Sequence, residues 1–214
     1  MSKLTMVSDD PYICYIDNFL TPEECDFMIS KSLGKMSNAR VSYIDSQKDK
    51  YESKYESKYE SKYKGRTNKS YWMDHYKYPE SLALCNKIAD LLECDYKHFE
   101  KFQMIHYGVG EEYKYHYDGY DKHEKEKYEK YCKERGNRLL TVLVYLNDVE
   151  EGGETGFSKI KKYDGSIKIK AKKGRMVVFH NLHSNGEIHR ETMHAGLPVI
   201  KGEKWAFNLW LRER

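Results

Sequence analysis

From Phe99 onward the chain is written as short β-prone runs broken by glycine-rich turns, and no other feature limits its fold as strongly. The runs cover residues 102–107, 113–118, 138–146, 167–171, 175–180 and 203–211, with Gly108-Val109-Gly110 and Gly152-Gly153-Glu154-Thr155 among the turns. Strands this short leave backbone donors and acceptors unpaired at every edge unless the sheet closes on itself or stacks on a second sheet. A β-sandwich or closed barrel is therefore expected.

The amino-terminal part reads differently. Thr21-Pro22-Glu23-Glu24 supplies an N-cap hydroxyl, a proline at the first helical position and a capping-box glutamate, which predicts a helix over about residues 22–33. A second helix is predicted from Pro79, with Leu82, Leu84, Ile88, Leu91 and Leu92 at helical spacing. Residues 12–16 form a β-prone run ahead of the first helix, and both helices read as supports for a sheet. Between the helices Tyr-Glu-Ser-Lys occurs three times in succession over residues 51–62, charged, repetitive and without an apolar stripe. That composition predicts a solvated insertion, at about residues 47–64, into a single domain spanning 1–214. Residues 119–136 are polar and read as a long connection or short helix at the mouth of the β-structure.

Composition excludes several function classes. Lys+Arg at 37 against Asp+Glu at 34 gives a net charge of +3, too even for a strongly basic nucleic-acid binder. No apolar run approaches the roughly 20 residues of a membrane helix, and the amino terminus lacks the basic-then-apolar order of a secretory signal, so a cytoplasmic protein is expected. Five cysteines without a CxxC pair predict free thiols.

His116-Tyr117-Asp118 puts an imidazole and a carboxylate on the same face of a strand, close enough to share one metal ion, and so makes half of a facial triad. With nine histidines in the chain, about half an occurrence of His-x-Asp is expected by chance, so a surface strand explains the motif equally well. The segment from His194 to Trp205 shifts the balance. It contains a histidine, a Gly/Pro turn and then Lys204, on a strand whose alternation separates Lys204, Ala206, Asn208 and Trp210 from Trp205, Phe207, Leu209 and Leu211. The second set is core. A lysine on the opposite face inside a sandwich needs an anion, for which a bound carboxylate would serve; exposure on an edge strand is the other reading. His180, His183 and His189 compete with His194 as third ligand, but their surroundings read as a solvated loop. His106, next to Tyr107, should face away by alternation and is assigned no role.

The His-x-Asp pair, the distant His194-Ala195-Gly196-Leu197-Pro198-Val199-Ile200-Lys201-Gly202-Glu203-Lys204-Trp205, and Glu151-Gly152-Gly153-Glu154-Thr155 between them together resemble the prolyl 4-hydroxylase branch of the Fe(II)- and 2-oxoglutarate-dependent dioxygenases. Ile16-Asp17-Asn18-Phe19-Leu20-Thr21-Pro22-Glu23-Glu24-Cys25 and Arg66-Thr67 before Trp72 extend the similarity into the amino-terminal half. The resemblance implies a mainly β, α+β chain: a double-stranded β-helix, or jelly-roll, with helices packed on one side. It implies His116, Asp118 and His194 as iron ligands, Lys204 as the partner of the far carboxylate of 2-oxoglutarate, Tyr107 and Thr155 as cosubstrate neighbours, and Tyr113, Arg138 and Trp210 as peptide contacts. The implied reaction consumes O2, with ascorbate as the supporting reductant, decarboxylates 2-oxoglutarate to succinate and CO2, and converts peptidyl proline to 4-hydroxyproline. Residues 40–76 would then form a lid over the groove. A proline-rich or collagen-like peptide is the implied partner, with no nucleic acid, no membrane and no obligatory second subunit. Hydroxylation of another residue type, or a noncatalytic jelly-roll binding module, are the alternatives.

Overall fold

Alternation along the long strands sorts this chain into layers. The computed structural model describes residues 3–39, 65–160 and 165–214; the Tyr-Glu-Ser-Lys insertion and most of the expected lid lie outside them. In chain order the strands are β1 (Leu4–Asp9), β2 (Tyr12–Ile16), β3 (Ser37–Asn38), β4 (Lys69–Met73), β5 (Phe102–Tyr107), β6 (Tyr113–His116), β7 (Arg138–Tyr145), β8 (Glu151–Gly152), β9 (Thr155–Ile160), β10 (Gly165–Ile169), β11 (Met176–His180), β12 (His194–Gly196), β13 (Val199–Lys201) and β14 (Lys204–Arg212). Helices α1 (Pro22–Ser32), α2 (Pro79–Leu91) and α3 (Lys125–Cys132) are interspersed.

Among the described residues, the strands form an eight-stranded sheet in the order β1-β2-β11-β7-β14-β5-β4-β3, a four-stranded sheet β10-β9-β12-β6, and the short pair β13-β8. Every pairing within them is antiparallel. On one side of the large sheet, Trp205, Phe207, Leu209 and Leu211 of β14 join Met28 of α1 and Leu84 and Ile88 of α2 in one apolar cluster. On the other side Ala206 and Tyr145 join Phe157 and Ile160 of the small sheet in a second cluster. This is the expected jelly-roll with helices on one face, and its sandwich interior is the side that carries Lys204.

The first helix begins as its sequence dictates: the Glu24 amide donates to Thr21 Oγ1 at 3.2 Å, and the Thr21 amide donates to Glu24 Oε2 at 2.8 Å. Several expectations change. β14 pairs with both β5 and β7, so Lys204 is on a central strand and the edge-strand reading fails. β6 ends at His116, so Asp118 stands on the loop just beyond the strand and not on its face. Residues 119–136 enclose α3. The strands β1 and β4 were not foreseen: Leu4–Asp9 and Lys69–Met73 mix polar and apolar residues without a clean alternation, and both lie toward the sheet's margins, where fewer apolar residues are needed. All five cysteines are free thiols, as expected.

Candidate metal centre and anion pocket

β6 and β12 pair with His116 directly opposite His194, which sets the two imidazoles side by side with ring centroids 4.3 Å apart. The Asp118 carboxylate returns from the loop to complete the group. Its Oδ1 lies 3.6 Å from His116 Nε2 and its Oδ2 3.4 Å from His194 Nε2. One ligand atom from each residue falls within 4.8 Å of the others, the one such group found among the described residues.

The tautomers are fixed by what lies behind the rings. His116 Nδ1 is 2.7 Å from the Lys114 carbonyl and His194 Nδ1 is 2.9 Å from the Thr192 carbonyl. A carbonyl oxygen only accepts, so each ring donates from Nδ1 and keeps the Nε2 lone pair free on the side of Asp118. Burial, with His194 adding to it, pushes the His116 imidazole down to about 4. Burial alone would raise the Asp118 carboxyl, but His194 and His116 beside it hold it well below the usual carboxylate range. Two imidazoles, each oriented by a carbonyl behind its Nδ1, and one carboxylate fit Fe(II) with open positions.

Lys204 is 1% exposed, and among the described residues its ammonium has no hydrogen bond or ion pair. It sits 5.0 Å from the ring centre of Tyr107 and 5.2 Å from that of Tyr145. Burial pushes this amine down to about 7, opposed by the Glu154 carboxylate. A cationic group so placed is unstable without an anion, and the far carboxylate of a diacid fits it. Gly196 makes room for the pocket wall, since a Cβ there would meet the Tyr107 hydroxyl at 3.1 Å. Thr155, 2% exposed, lies 2.6 Å from the Tyr145 hydroxyl, whose single hydrogen also has the Ile169 carbonyl within reach at 3.2 Å; when that hydrogen goes to Thr155 Oγ1, the threonine hydrogen is left to donate elsewhere. Tyr107, Tyr113, His116, Thr155, His194 and Lys204 all line one cavity.

The three residues expected to touch peptide separate. Tyr113 lines the cavity and stacks on His116, ring centroids 3.6 Å apart at 20°. Arg138 does not line it: its guanidinium is paired to Glu100 at 2.6 and 2.8 Å, lies 3.7 Å over the Trp210 ring, and donates to the Asp118 carbonyl at 3.4 Å. Trp210, 3% exposed, is held between Arg138 and the outward-facing Trp72, whose ring lies 5.8 Å away.

The remaining histidines lie elsewhere. His106 faces away as expected, against Trp205 and 2.8 Å from Glu203. His189 is not solvated: it is 6% exposed, its Nε2 lies 2.9 Å from Asp10 Oδ1, and His183 stacks on its ring. The loop reading missed that the β1–β2 hairpin reaches this segment. Sequence reasoning also missed Tyr145 and Arg66. Tyr145 was legible as sharing a face with Thr141 and Leu143 by alternation. Arg66, 7% exposed, lies 4.5 Å over the Tyr113 ring and, among the described residues, donates to the neutral oxygens of Asn68 and Gln103, at 2.7 and 3.2 Å; the tertiary pairing of its segment with Tyr113 brings it there.

Comparison with known proteins places this geometry. Residues 102–212 match the family model of the 2OG-Fe(II) oxygenase superfamily. The chain is 28% identical over 221 residues to probable prolyl 4-hydroxylase 10 of Arabidopsis thaliana, covering 97% of this chain and 71% of that protein. It is 36% identical over 151 residues to prolyl 4-hydroxylase subunit alpha-1 of Homo sapiens, covering 70% of this chain but only 27% of that subunit. Among solved structures, the viral collagen prolyl hydroxylase of Paramecium bursaria Chlorella virus-1, in its 2OG complex, superposes with a TM-score of 0.67 at 29% identity, covering 96% of this chain and 98% of that one.

Proposed function

The chain belongs to the 2OG-Fe(II) oxygenase superfamily, in its prolyl 4-hydroxylase branch, and on that footing we propose that it hydroxylates peptidyl proline at C4. When bound, Fe(II) and 2-oxoglutarate supply the oxidising chemistry with O2, releasing succinate and CO2 as proline gains its hydroxyl. His116 and His194 would hold the metal through Nε2 and Asp118 through one carboxylate oxygen. Lys204 would bind the far carboxylate of 2-oxoglutarate, Thr155 would donate its free hydroxyl hydrogen to the same anion, and the Tyr107 ring would wall the pocket against water. The observation that carries this reading is the buried, unpartnered ammonium of Lys204 in the same cavity as His116 and His194, the two histidines grouped with Asp118. A metal site alone fits many reactions; a metal site sharing its cavity with an orphan cation selects a chelating diacid.

For the peptide, Tyr113 offers an aromatic wall next to the metal ligands, and Arg66 above it offers guanidinium hydrogens to a main-chain carbonyl. Trp72, 44% exposed, extends the aromatic surface outward from Trp210. Proline in an extended, polyproline-type segment suits such a surface, because its pre-set backbone loses little entropy on docking and its ring packs flat on aromatic faces. Arg138 would act by holding Trp210 and the Asp118 loop. All of these side chains come from one chain, so the proposal needs no second subunit for the chemistry. The test is mass spectrometry of proline-rich and collagen-like peptides incubated with the protein, Fe(II), ascorbate, 2-oxoglutarate and O2. The expected result is a gain of one oxygen on proline, identified as 4-hydroxyproline by amino-acid analysis, abolished by His116→Ala. Oxygen on another residue type would redirect the substrate assignment, and no turnover on any peptide would reject the proposal.

A further inference from the structure

Behind Asp118 lies a buried polar chain that the ligand geometry alone does not require. The Thr141 hydroxyl is 2.7 Å from Asp118 Oδ2, and the Asn181 amide Nδ2 is 2.9 Å from Thr141 Oγ1. Thr141 and Asn181 are each 1% exposed and Asp118 8%, so water does not compete for these bonds. Thr141 stands on β7 and Asn181 directly follows β11, its neighbour in the large sheet. The chain therefore ties the Asp118 loop to the two adjacent strands from which its hydrogen bonds come.

Direction follows from the donor inventory. A hydroxyl has one hydrogen to give. With the Asn181 amide donating into Thr141 Oγ1, and the Asn181 oxygen farther off at 3.2 Å, the threonine hydrogen points at the carboxylate. A carboxylate between two imidazoles and on a loop has other choices. It can turn both oxygens toward a metal, or swing to one side and lie against a single histidine. A donor on Oδ2 disfavours both, because each breaks a buried hydrogen bond to a charged group.

We propose that Asn181 and Thr141 are positioning residues for the metal centre: the relay holds Oδ2, presents Oδ1 as a single-oxygen ligand, and so keeps open positions on the metal for cosubstrate and O2. The inference rests on the metal-centre reading above and adds to it a pair of residues that touch neither metal nor substrate. Outer partners of this kind are worth about 10- to 100-fold in metal affinity.

The test is Mn(II) binding followed by electron paramagnetic resonance, a readout independent of turnover. Thr141→Val keeps the β-branched shape of a strand residue and removes only the hydroxyl; its Mn(II) Kd is expected to rise about tenfold or more in protein that remains folded. Thr141→Ser restores the hydroxyl and should bring the Kd back to near the wild-type value, a rescue that a purely structural role for the threonine methyl would not give. Asn181→Ala leaves the hydroxyl unoriented and should fall between. A folded Thr141→Val protein with wild-type Kd, or a Thr141→Ser protein as weak as the valine variant, overturns the relay. Should the valine variant fail to fold, Asn181→Ala decides: a weakened Kd supports the relay and a wild-type Kd overturns it. Failure of wild-type protein to bind Mn(II) would instead bring down the metal centre itself, and the relay with it.

Discussion

The two faces of the large sheet use the same strands for opposite ends. Along β14, Trp205, Phe207, Leu209 and Leu211 point to a helix-covered, mainly apolar cluster whose buried polar neighbours, His75 and Ser81, find hydrogen-bond partners, while Lys204 and Asn208 point into the sandwich, where polar and ionisable groups are buried without full compensation. The helix side closes around side chains satisfied by contact or, like His75 and Ser81, by a hydrogen bond within the protein. The sandwich side keeps an ammonium without an anion and three ligand atoms turned toward one another. Stability is concentrated on one face and unsatisfied chemistry on the other, and the difference teaches that the inner face is built to be completed by something bound.

That contrast can be broken most sharply by exchanging the roles of the two faces in variants. His194→Ala should abolish peptide hydroxylation, a loss larger than the ~100-fold that outer partners of a metal command, while the melting temperature measured by circular dichroism stays near wild type. Phe207→Ala, on the helix face and fully buried, should do the reverse: about 3–5 kcal/mol of unfolding free energy lost in urea titrations, with the KM for 2-oxoglutarate unchanged in the protein that remains folded. A loss of affinity from Phe207→Ala as large as its loss of stability would dissolve the distinction.

Lys204→Met carries both halves of the comparison in one residue. Truncating one member of a buried charge pair removes 2-oxoglutarate affinity by ~30-fold or more, as calorimetry would show. Without ligand, the same change relieves a buried cation and should raise the melting temperature by roughly 5 °C at neutral pH. The pH dependence follows. In the folded protein the amine titrates at about 7, against its usual 10.5, so the unfolded chain holds the proton more tightly. Wild-type stability therefore rises with pH between those two values, and Lys204→Met should lack the rise. Affinity runs the other way, since only the protonated amine attracts the diacid: 2-oxoglutarate binding should be flat below pH 7 and weaken above it, by up to about tenfold per pH unit. Tyr145→Phe should have the smallest effect, a few-fold in 2-oxoglutarate Kd, because it removes one neutral hydrogen bond that orients Thr155.

How far the sequence could be read depends on which forces set each element. The first helix was legible to its cap because Thr21 and Glu24 satisfy each other locally. β5, β7 and β14 were legible because long apolar alternation leaves little choice. His116, Asp118, His194 and Lys204 were legible as a spaced pattern, and the sheet register that sets His116 against His194 is what brings them together. Short strands of mixed character such as Lys69–Met73 were not legible, since their place is fixed by pairing with β5 and not by a pattern in their own residues. Thr141 and Asn181 were invisible as site residues, and Arg66 was legible only as part of the resemblance and without a role, for a related reason: each acts through a partner distant in sequence, and hydrogen bonds leave no periodic trace. Arg138 and Trp210 were legible as residues near the site but not as a stacked pair packed behind Asp118.

The central claim is that the metal ligands and Lys204 serve one bound diacid. Calorimetric titration of 2-oxoglutarate into metal-free and Mn(II)-loaded protein tests it most directly. If one molecule spans both, metal should tighten binding by about tenfold or more, one such decade being about 1.4 kcal/mol, and Lys204→Met should weaken binding in the presence of metal. Equal affinity with and without Mn(II), or a metal-dependent affinity that Lys204→Met leaves unchanged, would contradict the account.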